Sequence, residues 1–238
     1  MNARNKILFL IVAVPSILLV INVSLMSHIV ANYSPNAYCV PGVDCSTDSS
    51  QNNGESMSTG ASELTNYVVR GGGYLLNAHS NMMGFLNKIE MSELQGTDYN
   101  ALSKSLGQTI SELEKSRDTY MVLVEISKET AYNPVFISKL KTFDYFGFMQ
   151  RSGCNRCTFM DVYWYLAWGD VNGIYAHLLN NIEGLLDDLY RIKGYVDARQ
   201  FPEISMLWKA GRKFSETYQF GQISAEIFYE ISRSLKYE

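Results

Sequence analysis

Four long segments of the chain carry apolar residues that recur in alternating steps of four and three positions. They cover about residues 62–90, 98–130, 158–193 and the stretch between Pro202 and Leu235. This spacing keeps the apolar side chains on one face of an α-helix, and alternation of the kind found in strands is nearly absent. Because each helix hides only one face, the helices must pack on one another. The sequence therefore predicts an all-α fold built as an up-down-up-down four-helix bundle.

Two glycine-containing sites decide how continuous these helices are. Gly71, Gly72 and Gly73 lie inside the first segment, where three glycines cost about 3 kcal/mol relative to alanines. The apolar stripe continues in step across them, so we expect one helix, and a break at this point is the alternative. Gly169-Asp170 is a second candidate interruption, with Asp170 as the N-cap of a new helix.

Two prolines predict helix starts. Asn133-Pro134 has the sequence of a cap followed by a first-turn proline, which predicts a short extra helix over about residues 134–141. Phe201-Pro202 has the same character and predicts a first-turn proline for the fourth long helix.

The beginning of the chain has the character of a membrane anchor. No Asp, Glu, Lys or Arg occurs from Ile7 to Val43, and residues 7–30 are predominantly apolar. About 20 such residues span a bilayer, whereas the apolar part of a signal peptide has only about 7–15. Arg4 and Lys6 precede the run, and positive charge stays on the cytoplasmic side. We expect residues 1–30 to be a retained anchor that places the rest outside the cytoplasm, on the periplasmic or other extracytoplasmic side of the membrane. Secretion after signal cleavage is the alternative.

The next stretch, residues 31–61, is rich in Ser, Asn and Gly and has almost no apolar periodicity. Such composition is typical of a flexible tether. The predicted organisation is thus anchor or signal over residues 1–30, tether over 31–61, and helical domain over 62–238.

Composition excludes several classes of function. The formal net charge is −4 and no long basic run is present, which argues against nucleic acid as a partner. The chain has only 3 histidines, and none belongs to a recognisable metal-binding or hydrolase motif. The GGGYL stretch lacks the Lys and Ser/Thr of a phosphate-binding loop. We therefore predict no cofactor, metal or catalytic residues, and we expect that the protein is not an enzyme.

The four cysteines predict disulfides, because an even number in an exported chain indicates oxidised pairs. Their connectivity stays open between local pairs and cross-links from tether to bundle. A redox-active C-x-x-C pair and a four-thiolate zinc site are alternatives, and Thr158 excludes covalent haem at that pair. The residues concerned are Cys39, Cys45, Cys154 and Cys157.

A polar layer in the middle of the bundle is one candidate site. His79 and His177 lie at similar heights in two helices that run in the same direction in this topology. The antiparallel helices bring Glu112 and Tyr218 to about the same level. One interpretation is a buried polar layer that holds a small molecule or a metal. The alternative is that both histidines point obliquely to solvent.

A second candidate is the aromatic segment from Phe143 to Trp168. Around Tyr163-Trp164-Tyr165 consecutive residues are aromatic, so one helix face cannot hide them all. Trp and Tyr are enriched at protein interfaces, which predicts a docking surface. The alternative is a capping core covered by the short extra helix. The candidate interaction residues are Phe143, Tyr145, Phe146, Phe148, Tyr163, Trp164 and Trp168.

These observations favour a non-catalytic function. We expect a membrane-anchored helical bundle that acts as a protein-interaction or sensory component of a cell-envelope assembly. The alternative is a small-molecule or metal-binding bundle, including an enzyme, that uses the His79/His177 layer. The oligomeric state is left open by the sequence.

Overall fold

The computed structural model describes residues 55–130, 132–153 and 156–235, and confirms an all-α fold for them. The predicted anchor, and the predicted tether as far as residue 54, lie outside the described residues. None of the helices that are described is both long and apolar enough to cross a membrane. The helices are α1 (Glu55–Gln95), α2 (Tyr99–Glu129), α3 (Pro134–Thr142), α4 (Tyr145–Ser152), α5 (Arg156–Leu166), α6 (Val171–Asp197) and α7 (Ile204–Leu235).

The first helix, α1, passes through the three glycines without a break, as the continuous apolar stripe predicts. Gly71 is buried, and its carbonyl oxygen accepts a hydrogen bond of 3.0 Å from Ser116 Oγ of α2. The helix begins at Glu55, earlier than predicted, so the end of the predicted tether is helical. It stops before Gly96, whose positive φ of 93° suits a residue without a Cβ.

Side-chain caps mark the N-termini of α2 and α3, and the cap of α3 is the one that the sequence predicts. Asp98 caps α2 by accepting hydrogen bonds from the backbone N–H groups of Asn100 and Ala101, each at 3.0 Å. Asn133 caps α3 through a bond of 2.7 Å from the N–H of Val135, with Pro134 in the first turn. Both caps satisfy backbone donors that a helix leaves unpaired at its start.

The third long segment differs from the single helix predicted over 158–193, because it is divided into α5 and α6. The division falls at Gly169-Asp170, the candidate interruption. Gly169 adopts a φ of 73°, and the Asp170 carboxylate accepts a bond of 2.8 Å from the N–H of Gly173. Strong local capping therefore ends one helix and starts another.

Two further features depart from the sequence prediction. Helix α4 was not predicted; Asp144 caps it, and Gly153 ends it with a φ of 61°. Pro202 is not a first-turn residue, since α7 begins at Ile204 and the first backbone bonds run to Glu203 O from Met206 and Leu207.

Helix α1 packs along α2 in the opposite direction. Gly71 of α1 meets Ser116 of α2, whereas Asn77, further along α1, donates to Glu112, which is earlier in α2. Between them lies a closely packed core to which both helices contribute fully buried side chains, such as Phe85. The antiparallel direction places the end of α2 beside the start of the described part of α1.

Helix α2 packs on α6 in the same antiparallel manner. Ser103 near the start of α2 donates to Asp197 at the end of α6 (2.6 Å). At the opposite end, the Asn172 side chain of α6 donates to Ser127 Oγ (2.5 Å). Helix α7 then contacts both α6 and α1, and Gly221 of α7 lies closest to Leu178 and Leu75. The connection formed by α3, α4 and α5 joins α2 to α6.

Candidate functional site

The aromatic segment is divided between the core and the surface. Its inner rings are buried: Phe159 is fully buried, and Tyr145 and Phe148 are nearly so. The Tyr145 hydroxyl donates to Leu140 O at 2.6 Å, and burial raises the pKa of this phenol. The Phe143 ring, half-buried, meets the Tyr145 ring edge-on at 5.1 Å between centroids. This inner half forms a core between α4 and α5.

The outer half of the segment is exposed to solvent. Phe146 is 54% exposed, Trp164 is 59% exposed and Trp168 is 73% exposed. The Tyr163 ring lies between two of them, 6.0 Å from Phe146 and 5.9 Å from Trp164. We call Phe146, Tyr163, Trp164 and Trp168 the aromatic surface. Its residues come from α4, α5 and the turn that follows α5.

The Tyr163 ring of the aromatic surface packs on a buried ring. The Tyr163 ring meets the Tyr145 ring edge-on, at 5.2 Å and an interplanar angle of 84°. Tyr145 is in turn fixed by its hydrogen bond and by Phe159, at 6.5 Å. A rigidly supported aromatic side chain loses little conformational entropy when a partner covers it, which is a property of residues that dominate interface energies.

His79 and Tyr218 are brought together by α1 and α7. The two rings stack at 4.6 Å with an interplanar angle of 8°, and Phe214 lies 5.8 Å from the histidine ring. His79 is only 5% exposed, and burial lowers its pKa to about 4. Burial also raises the pKa of Tyr218 to about 12. Neither His79 Nδ1 nor the Tyr218 hydroxyl has a hydrogen-bond partner among the described residues.

His177 has a separate environment. The Tyr165 hydroxyl lies 3.1 Å from His177 Nδ1, and the Phe220 ring lies 4.5 Å from the imidazole. The side chain is half-buried; desolvation lowers its pKa, and the negative charge of Asp161 opposes that shift. Within the described residues, no hydrogen bond or ring contact links His177 to His79. Tyr165 was not among the predicted site residues, although its place in the aromatic segment is a signal for it.

Glu112 lies at the surface and not beside His79. Its carboxylate accepts hydrogen bonds from Lys115 Nζ (2.5 Å) and Asn77 Nδ2 (3.3 Å). The bond from Lys115 is the main cause of the lowered pKa of Glu112. Leu113 takes the core position, and the neighbouring residue points about 100° away on a helix. Glu112 borders an open cleft of about 340 Å³ between α1 and α2. The cleft is lined by Asn77, Ser80, Asn81, Gln108, Ser111 and Glu112.

Of the predicted disulfide residues, Cys157 alone is described. It lies exposed at the start of α5. Cys39, Cys45 and Cys154 lie outside the described residues, so their pairing stays a prediction. In the part of the chain that the structure describes, no group of three or more His, Cys, Asp or Glu side chains is placed to hold a metal ion.

No protein-family model, curated protein or solved structure matches this chain. Function is therefore inferred from the placement, burial and charge of its own side chains. Two features stand out on those grounds, the aromatic surface and the buried stack of His79 on Tyr218.

Proposed function

We propose that this protein is a membrane-anchored, non-catalytic component of a cell-envelope assembly that binds another protein through its aromatic surface. Residues 7–30 serve as the anchor, with Arg4 and Lys6 on the cytoplasmic side. The helical domain then lies outside the cytoplasm, where the four cysteines can form disulfides.

The helical domain in this proposal is an up-down-up-down four-helix bundle of α1, α2, α6 and α7. The antiparallel contacts between α1 and α2 and between α2 and α6 support it, as do the short connections before α2 and α7. The short helices α3, α4 and α5 form the connection between α2 and α6. This connection carries the aromatic surface, whose exposed rings can contact a partner while the buried rings beneath Tyr163 belong to the core.

The aromatic surface is the observation that carries the proposal. Single exposed apolar residues are common in soluble proteins, but clustered large ones are typical of interaction sites. Here Phe146, Tyr163 and Trp164 follow one another in ring contact, and Trp168 comes at the turn after α5. Trp and Tyr are also the residue types most enriched among those that dominate interface energies.

The first prediction concerns these tryptophans. A Trp164→Ala/Trp168→Ala variant is expected to leave the fold intact, because both side chains are more than half exposed. We expect it to weaken partner binding at least tenfold, since loss of one such anchor costs about 2 kcal/mol or more. The measurement is quantitative co-purification of the tagged full-length chain from membranes, followed by affinity measurement with the recovered partner.

Trp208 provides the matched control. It is 47% exposed on α7 and carries the Arg212 guanidinium over its ring at 5.5 Å. The Trp208→Ala variant should retain the partner. If the tryptophan double variant recovers the same proteins as the wild type and Trp208→Ala, the aromatic surface is not the binding site.

The role of the anchor is tested separately by replacing residues 1–30 with an unrelated single-span anchor. We expect partner binding to be retained, because the proposed contact lies on α4 and α5. If partner binding is lost when the anchor is replaced but kept in the tryptophan variants, the interaction belongs instead to the membrane-spanning segment.

The second candidate function is a small-molecule or metal site that uses His79 and His177. The observation in its favour is that two buried polar atoms, His79 Nδ1 and the Tyr218 hydroxyl, have no hydrogen-bond partner among the residues that the structure describes. A His79→Gln/His177→Gln variant separates the two functions. The double variant should still bind the partner if the protein acts through its aromatic surface. It should lose ligand binding, and the function that depends on the ligand, if the histidines hold one.

A further inference from the structure

We propose that His79 is an acid-sensitive latch between α1 and α7: the neutral imidazole stacked on Tyr218 holds the helices together, and its protonation loosens this contact. The inference does not depend on the proposed partner or on the aromatic surface. It rests on the packing of one histidine and on the absence of a counter-charge for it among the described residues.

The burial of His79 favours its neutral ring over the charged one. The His79 imidazole lies nearly parallel to the Tyr218 ring at 4.6 Å, and the Phe214 ring closes another side at 5.8 Å. With the side chain only 5% exposed, a proton added to the ring would have almost no water to solvate its charge. Burial of an ion without a partner is among the most unfavourable changes that a folded protein can undergo.

A carboxylate in contact with His79 would reverse this conclusion, but among the described residues no carboxylate charge acts on the pKa of His79. Glu226 acts instead on Tyr218, where its charge adds to the effect of burial. On α7, Glu216 accepts from Arg212 Nε (2.7 Å) and Glu226 from Gln222 Nε2 (2.9 Å). On α2, Glu112 is held by Lys115 and Asn77.

The cations and the other titratable groups of these helices leave the conclusion about His79 unchanged. Lys213 of α7 points to Asp188 of α6, with Nζ at 3.7 Å from the carboxylate. On α1 no charged residue occurs between Arg70 and Lys88. Tyr218 is the titratable group in ring contact with His79, and burial favours its neutral form. Burial is likewise the cause that lowers the pKa of His79.

The sign of the pH effect follows from linkage. The pKa of His79 falls from 6.5 to about 4 on folding, so the open or unfolded state binds the proton more tightly. Stability from this residue is complete above pH 6.5 and is lost as the pH falls towards 4. In that window, the equilibrium constant for opening should rise by up to about tenfold per pH unit.

His177 is the internal comparison. It is half-buried, keeps access to water and has the Tyr165 hydroxyl 3.1 Å from Nδ1. Asp161 acts on its pKa in the direction opposite to burial. Its contribution to acid sensitivity should therefore be much smaller than that of His79, although both histidines contact rings of α7.

The experiment is a pH series from 7.5 to 4.5 on the full-length chain, with His79→Phe and His177→Phe as the matched pair. Histidine NMR shifts show whether each imidazole takes up a proton within this range, and hydrogen exchange of the α1 and α7 amides reports opening. A phenylalanine fills the same space and can stack on Tyr218 without taking up a proton.

We expect amide exchange in α1 and α7 of the wild type to accelerate at least tenfold beyond the chemical rate change between pH 6.5 and 4.5. His177→Phe should behave in the same way, and His79→Phe should abolish the acceleration.

Two results would overturn the latch. One is a His79 resonance that titrates near its ordinary value of 6.5 in the folded protein. The other is an unchanged acid response in His79→Phe, or in His79→Leu if the phenylalanine variant does not fold. Either would show that acid acts on another group.

Discussion

Replacing Phe159 with alanine is expected to lower the free energy of unfolding by about 3–5 kcal/mol. Phe159 is fully buried in α5, with the rings of Tyr145 and Phe148 each 6.5 Å away. Removing the ring leaves a cavity under α4 that rigid neighbours cannot fill, so both the transfer energy and the packing contacts are lost. Denaturant unfolding followed by circular dichroism measures the loss.

Phe146→Ala is the control for this change, since it removes the same side chain from the same cluster. Phe146 is 54% exposed, and its loss should cost less than about 1 kcal/mol, as is usual for surface positions. The two variants also separate the roles of the inner and outer rings. If Phe146→Ala were as destabilising as Phe159→Ala, the division of the segment into core and surface would be incorrect.

The second large effect is expected at Gly71. A Cβ at this position would lie 3.1 Å from Tyr120 Cε2 and 3.3 Å from Thr119 Cγ2, both on α2. A Gly71→Leu change should force the helices apart and destabilise the protein by about 3 kcal/mol, the upper part of the usual range for overpacking. Separation would also break the buried bond from Ser116 Oγ to Gly71 O. Thermal and denaturant unfolding both report this loss.

Gly73 supplies the contrast two residues away. Beyond the adjoining backbone of α1, no atom of the described residues lies within 4 Å of a Cβ added there, and Gly73 is exposed inside a continuous helix. Gly73→Ala should stabilise the protein by about 1 kcal/mol, because alanine replaces glycine in a helix interior. Opposite signs at Gly71 and Gly73 would support the close contact of α1 with α2. A stabilising Gly71→Leu change would rule it out.

Gly71 also shows why periodicity predicted this helix correctly. Local propensity alone favours a break at three glycines, but the apolar stripe on either side stays in phase. The buried face on both sides of the glycines packs on other helices, and that burial outweighs the local cost. The caps at Asn133 and Asp170 were predictable for a related reason, since each acts on a backbone group only two or three residues away.

Helix α4 was beyond the reach of periodicity because it has only 8 residues. Its local signals were Asp144 at the start and Gly153 at the end, and the aromatic sequence around them obscured both. Periodicity also fails to predict which residues of the aromatic segment are exposed. Phe146 and Phe148 are of one residue type, yet one is exposed and the other buried, and only the packing of α4 on α5 distinguishes them.

The polar layer shows a different limit. Because each helical residue adds the same rise, the sequence predicted that Tyr218 lies at the height of His79. In the structure the two rings are in contact. The direction of a side chain around the helix axis is less predictable, since one position corresponds to about 100°. That is why Glu112 faces the open cleft and His177 faces Tyr165 and Phe220, in two environments separate from that of His79.

Site-specific photo-crosslinking in cells tests the proposed interaction most directly. A photoreactive phenylalanine analogue would replace Trp164 in the full-length chain, and separately Tyr190, which is 47% exposed on α6. We predict a discrete cross-linked envelope protein from position 164 and none from position 190. The same adduct from both positions, or adducts with lipid alone from position 164, would contradict a protein-binding aromatic surface.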